Sequence, residues 1–138
     1  PELCEVGIVP EYKGVELNEI LALYPNAVYA EGTETNETRM RYDKHETPDK
    51  VNARAKFVVD YLRSRYKSGE KVVLVSHAAF ITNLVFYIME LYESKPAFDI
   101  DYYNTGITRV TYYKPGTYKW GDTVFRYIND TSHYTLMK

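Results

Sequence analysis

The chain has 138 residues, with 17 Lys and Arg against 19 Asp and Glu, and its formal net charge at pH 7 is −2. This length predicts one domain over residues 1–138, and the charge balance supplies no general attraction for nucleic acid or an anionic membrane. The most apolar stretch, residues 78–91, is too short and too polar to span a bilayer. Cys4 is the only cysteine, which excludes an internal disulfide and favours a reducing compartment, so we expect a cytoplasmic chain.

Two helices are predicted in the first half of the chain. The first is short, ends at Pro25, and has an apolar face made of Leu17, Ile20, Leu21 and Tyr24. The second begins with Thr47 as N-cap and Pro48 at its first position, and Gly69 follows its end. Between them, residues 26–47 have no sustained period, which predicts a long loop or a small cap over the site.

The second half begins with a short apolar run, residues 72–75, typical of a strand buried on both faces of a parallel sheet. A buried helix is predicted over residues 78–91. Residues 107–113 and 123–128 then alternate as two strands joined by a turn at Lys114-Pro115-Gly116. This order predicts an α/β fold, a three-layer sandwich in which helices flank a mostly parallel mixed sheet.

The start of the helix at residue 78 is the candidate site. Ligands of open α/β sheets bind beyond the carboxyl ends of the strands, where His77 stands. The amides of Ala78 and Ala79 point outward at the positive end of the helix dipole, which favours phosphate. His77 can donate a hydrogen bond or a positive charge to a phosphoryl oxygen. A histidine that only caps the helix or bonds to the backbone explains the same pattern, and both alternatives stay open.

Other chemistry finds less support in the sequence. Leu74 and Ala78 stand where a serine nucleophile elbow needs glycines, so Ser76 is not expected to be a nucleophile. A metal site from His45, His77 and His133 lacks a short-range ligand pair, and we expect neither a metal nor another cofactor. We predict a structural hydrogen bond for His133 and an exposed position for His45.

Five short motifs occur in a characteristic order. They are Leu3-Cys4-Glu5 before Tyr12-Lys13-Gly14, then Glu46 with Val51 and Arg54, residues 72–81, Asn104-Thr105-Gly106-Ile107, and residues 127–133. Together they resemble the histidine phosphatase superfamily, whose fold is phosphoglycerate mutase-like. The resemblance spans essentially the whole chain. It departs from the family pattern where Ala78 and Ala79 replace glycines, Thr47 replaces a serine and Cys4 replaces an arginine.

The resemblance implies a two-step phosphoryl transfer through a phosphohistidine. His77 matches the family's second histidine, which binds the transferring group, and Glu5 matches its general acid and base. Ala78 and Asn104 fall in motifs that would bind a small phosphorylated substrate. An ordinary solvated glutamate is the alternative for Glu5.

The nucleophilic Arg-His-Gly motif of the family does not occur in this sequence, and the chain begins with Pro1. We therefore expect the C-terminal part of a longer polypeptide, N-terminally incomplete and inactive alone, which either associates with its N-terminal segment or as a homodimer, or folds poorly. The expected function of the parent protein is that of a phosphomonoester phosphatase. Phosphoglycerate mutase activity and a non-catalytic phosphate-binding or scaffold domain remain as alternatives.

Overall fold

The computed structural model describes residues 3, 5–6, 15–28, 46–93 and 98–137. These residues contain three α-helices, α1 (Leu17–Leu23), α2 (Pro48–Arg65) and α3 (Ala78–Ile88), followed by strands β1 (Ile107–Tyr112) and β2 (Thr123–Asp130) and a 3₁₀ helix (Ser132–Met137). Cys4, His45 and most of the loop predicted at 26–47 lie outside the described residues.

Local signals set the bounds of the helices. Thr47 is the N-cap of α2 in an extended conformation, and Pro48 is the first helical residue, where its missing N–H costs no hydrogen bond. Arg63 and Arg65 lie in the last turn and complement the negative end of the helix dipole. Helix α3 begins at Ala78, as predicted, and ends at Ile88, earlier than the predicted residue 91.

The core lies between α2 and α3. One face of each helix is buried in it, and its members are Val51, Ala55, Val58, Val59, Phe80 and Leu84. Phe80 is completely inaccessible to solvent, with 0% of its surface exposed. Leu3 and Val6 pack against this cluster from the beginning of the chain. Apolar burial therefore fixes the N-terminal segment next to the first turn of α3.

The two predicted strands form an antiparallel hairpin. Register partners include Val110 with Phe125 and Tyr112 with Thr123, and the register shifts near Arg109. In the connecting turn, Gly116 adopts a φ of 75°, a left-handed conformation that glycine reaches without steric cost. This hairpin is the sheet of the described residues, and it is antiparallel.

The prediction that residues 72–75 form a strand buried on both faces is wrong for this structure. Residues 71–77 are not part of a strand, and the exposed fractions of Val72, Val73, Leu74 and Val75 are 41%, 86%, 38% and 84%. A strand needs a neighbour to pair with its backbone groups, and the described residues supply none there. The described residues contain helices and an antiparallel hairpin, so the predicted α/β three-layer sandwich with a mostly parallel sheet is not confirmed. None of the helices in the described ranges is long and apolar enough to cross a membrane.

Candidate functional site

The beginning of the chain lies beside the start of α3. The Ser76 hydroxyl donates a hydrogen bond to the carbonyl oxygen of Leu3 over 2.6 Å, and this bond joins residues 73 positions apart. Because Leu3 and Val6 also pack against the core, the segment is held on both sides of Glu5. Ser76 thus has a positioning contact, and its expected lack of a nucleophilic role stays a prediction.

Glu5 occupies the N-terminal end of α3. Its Oε1 atom accepts a hydrogen bond from the backbone amide of Phe80 at 3.2 Å and another from the amide of Val6 at 2.8 Å. Phe80 is the third residue of α3, so its amide is one of the four that lack an acceptor within the helix. The carboxylate also lies at the positive end of the helix dipole. Glu5 is therefore not an ordinary solvated glutamate.

His77 stands at the same end of this helix. It is the N-cap residue, with φ −115° and ψ 158°, and its side chain makes no capping hydrogen bond. Its backbone carbonyl accepts the amide of Ile81 at 2.9 Å, which begins the helical hydrogen-bond pattern. The imidazole is exposed, as is Ala78, the first helical residue. The structure therefore does not contain an imidazole that caps the helix, which was one of the alternatives left open by the sequence.

A mostly buried ion pair lies behind the first turn of α3. Arg54 donates two hydrogen bonds to Glu46, from Nε to Oε1 at 2.7 Å and from a terminal nitrogen to Oε2 at 2.8 Å. Only 17% of the Arg54 side chain and 11% of the Glu46 side chain are exposed. The Arg54 guanidinium carbon lies 4.3 Å from the centre of the Phe80 ring. The sequence motif placed Glu46 and Arg54 at family positions, but it did not predict these contacts.

Asn104 lies in the loop before β1 and is exposed. The segment that leads to this loop is tied to α3, because the buried Thr82 hydroxyl donates to the carbonyl oxygen of Ile100 at 3.3 Å. Among the contacts within the described residues, none joins the Asn104 side chain to His77 or Glu5. The structure thus brings together Glu5, His77 and Ala78 and leaves Asn104 on a neighbouring loop.

The hydrogen bond predicted for His133 is present. Its Nε2 atom lies 3.0 Å from the Thr105 hydroxyl, which also donates to the Tyr134 hydroxyl at 3.1 Å. These bonds hold Thr105 at a φ of 60°, an uncommon conformation for a β-branched residue. Nearby, hydrogen bonds from the amide and hydroxyl of Ser132 lower the pKa of Asp130.

The acceptor role of Glu5 toward Phe80 and the support of Phe80 by Arg54 were missed by sequence reasoning. A partial signal was available, since an N-cap at residue 77 leaves the amide of residue 80 in need of an acceptor. In the part of the chain that the structure describes, no group of three or more His, Cys, Asp or Glu residues could hold a metal ion.

A comparison with known families finds a match over most of the chain. The family model described as histidine phosphatase superfamily (branch 1) matches residues 1–123. This range contains Glu5, the Glu46–Arg54 pair, His77 and Asn104. No curated protein matches the chain, and no solved structure does.

Proposed function

Because the chain belongs to the histidine phosphatase superfamily, we propose that it contributes a phosphate-binding residue and a proton donor to a phosphomonoester phosphatase. His77 binds the phosphoryl group, and Glu5 donates the proton. The observation that carries this proposal is the Glu5 carboxylate at the N-terminal end of α3, where the exposed His77 is the N-cap. A cytoplasmic location and a small phosphorylated substrate are part of the same proposal.

The start of α3 supplies donors for the phosphoryl oxygens. Phosphoryl transfer depends mainly on positioning and on the stabilisation of negative charge, which helix amides and an imidazole both provide. The amides of Ala78 and Ala79 belong to the first turn, where backbone N–H groups have no helical acceptor. Asn104, on the loop tied to α3 through Thr82, is the remaining proposed substrate contact.

Glu5 would supply the proton that the leaving group needs. An alkoxide is a poor leaving group near neutral pH, so a carboxylic acid within hydrogen-bond reach lowers the barrier. Since Oε1 accepts two backbone amides, the proton is assigned to Oε2. After the alcohol has left, the same carboxylate can take a proton from the attacking water.

The nucleophile is proposed to be a histidine outside these 138 residues, on an N-terminal segment, because the sequence contains no Arg-His-Gly. In the first step an imidazole nitrogen forms a bond to phosphorus while the bond from phosphorus to the ester oxygen breaks, and the alcohol leaves with the proton of Glu5. In the second step water attacks phosphorus, the P–N bond breaks and free phosphate is released. The 138-residue chain alone would therefore be inactive.

The test compares the 138-residue chain with a longer polypeptide, which also contains the residues encoded upstream of Pro1. Both are assayed for phosphate release from p-nitrophenyl phosphate and for an acid-labile phosphoenzyme. We expect turnover and a phosphoenzyme from the longer polypeptide and neither from the 138 residues. Phosphate binding without turnover by the longer polypeptide would instead identify a non-catalytic binding domain. Transfer to a second phosphoglycerate oxygen in place of water would identify a mutase.

A further inference from the structure

Arg54 makes two different contacts that together fix the plane of its guanidinium group. Two of its nitrogens bond to the two carboxylate oxygens of Glu46, and its guanidinium carbon lies 4.3 Å from the centre of the Phe80 ring. A bidentate pair sets the direction of the guanidinium fork, and a cation–π contact sets the face that it presents. Lysine can satisfy neither requirement in the same way.

Phe80 connects this group to the candidate site. Its ring is fully buried in the core between α2 and α3, while its backbone amide donates to Oε1 of Glu5 at 3.2 Å. A shift of the ring therefore moves the first turn of α3, and with it the amide that holds the proposed proton donor. The side chain of Arg54 and the carboxylate of Glu5 are thus joined through one residue.

We infer that Arg54 is a positioning residue, which acts through Phe80 on Glu5 and the start of α3 rather than as a ligand of the phosphoryl group. The inference rests on the proposed function and adds a residue that the sequence motif alone does not interpret. An arginine near a phosphate site is ordinarily expected to bind phosphate directly. Here, two guanidinium nitrogens bond to Glu46, the guanidinium lies against the Phe80 ring, and only 17% of the side chain is exposed.

The first measurement is amide hydrogen exchange in the 138-residue chain, which needs no catalytic activity. In Arg54→Lys and in Glu46→Gln, we expect the protection of the Phe80 amide to fall about tenfold more than that of amides elsewhere in α3. The two variants act in the same direction only if Arg54 must be held by Glu46. If Arg54 were a direct ligand of phosphate, Glu46→Gln would release the guanidinium toward the phosphate. The two variants would then not act in the same direction.

The matched control is Arg63→Lys. Arg63 lies on the same helix, and its guanidinium carbon is 4.8 Å from the centre of the Tyr112 ring, so the substitution alters the same kind of contact at another place. We expect this variant to leave the Phe80 amide unchanged. Equal loss of protection in Arg54→Lys and Arg63→Lys would overturn the inference, because it would show a general effect on α2.

The second measurement is turnover of p-nitrophenyl phosphate by the longer polypeptide. A positioning role predicts that Arg54→Lys and Glu46→Gln lower kcat about tenfold while KM stays within about twofold. A rise in KM with kcat unchanged in Arg54→Lys would overturn the inference and make Arg54 a phosphate ligand. If the wild-type polypeptide shows no turnover, the proposed function fails, whereas the exchange measurement still decides whether Arg54 positions Phe80.

Discussion

The backbone amide of Phe80 donates a hydrogen bond to the Glu5 carboxylate, which joins two residues 75 positions apart in the sequence. The bond satisfies an amide that the helix cannot satisfy itself, and it holds the Glu5 carboxyl group at the N-terminal end of α3. One contact thus stabilises α3 and places the proposed proton donor at the same helix end as His77. Structure and proposed chemistry depend on the same pair of residues.

His77→Ala should remove most phosphatase activity without unfolding the protein. Loss of one donor to a transferring group lowers kcat by about 10²–10³, whereas loss of an exposed side chain changes the free energy of unfolding by about 0.5 kcal/mol or less. Phosphate release by the longer polypeptide and its urea unfolding measure the two effects. His133→Ala is the control, because its lost hydrogen bond to Thr105 should cost about 1 kcal/mol of stability and leave most of the turnover. Wild-type turnover in His77→Ala would contradict the site.

In the longer polypeptide, Glu5→Gln should slow turnover most on substrates that have a poor leaving group. Glutamine keeps an oxygen that can accept the Phe80 amide, so the helix end is preserved while the transferable proton is lost. With an alkyl phosphate we expect kcat to fall by about 10²–10⁴, and with p-nitrophenyl phosphate far less. Glu19→Gln, on α1, should change neither rate. Equal slowing of both substrates by Glu5→Gln would argue against proton donation.

Phe80→Ala should destabilise the fold severely. The ring has 0% of its surface exposed, so truncation leaves a cavity and removes the contact with Arg54. Such substitutions cost about 3–5 kcal/mol in the free energy of unfolding. Phe57→Ala is a matched control on α2, because 56% of that residue's surface is exposed and the loss of its side chain should cost much less. Similar urea midpoints for the two variants would contradict the assignment of Phe80 to the core.

Glu90→Gly should stabilise the C-terminal end of α3. Two hydrogen bonds, from the Glu90 amide to the Tyr87 carbonyl at 3.0 Å and from the Leu91 amide to the Phe86 carbonyl at 2.9 Å, form a helix-ending motif in which glycine is usual. Glu90 adopts a φ of 60° there, a conformation that costs a residue with a Cβ about 1–2 kcal/mol.

Thermal unfolding tests this expectation. We expect Glu90→Gly to raise the free energy of unfolding by about 1 kcal/mol, the part of the steric cost that remains after the larger backbone entropy of glycine in the unfolded chain is subtracted. Glu90→Ala removes the same charge but keeps the Cβ, so it should give no gain. A gain of equal size in both variants would attribute the effect to charge.

The elements that the sequence predicted well depend on neighbours in the chain. Thr47 and Pro48 mark the start of α2 because an N-cap and a first helical position have local steric requirements. The helix start at Ala78 and the hairpin around Gly116 are local in the same sense. Residues 72–75 were predicted wrongly, because an apolar run becomes a buried strand only when other strands lie beside it.

Part of the candidate site could likewise be predicted from the sequence, and part could not. The family motifs singled out Glu5 and His77, and the structure brings both to the start of α3. No local pattern links Glu5 to the Phe80 amide, or the guanidinium of Arg54 to the Phe80 ring, since packing of α2 on α3 creates these contacts. Asn104 was selected by a motif, but contacts across loops decide whether its side chain reaches a ligand.

The exposed valines before the site also affect how the purified protein behaves. Val73 and Val75 are 86% and 84% exposed, so water is in contact with bare hydrocarbon along a stretch whose backbone is not paired in a sheet. Glu70 and Lys71 are the nearest charged residues before them. Charges that flank an apolar stretch oppose aggregation. The average particle mass measured by light scattering should therefore rise with protein concentration. Val73→Lys should suppress that rise.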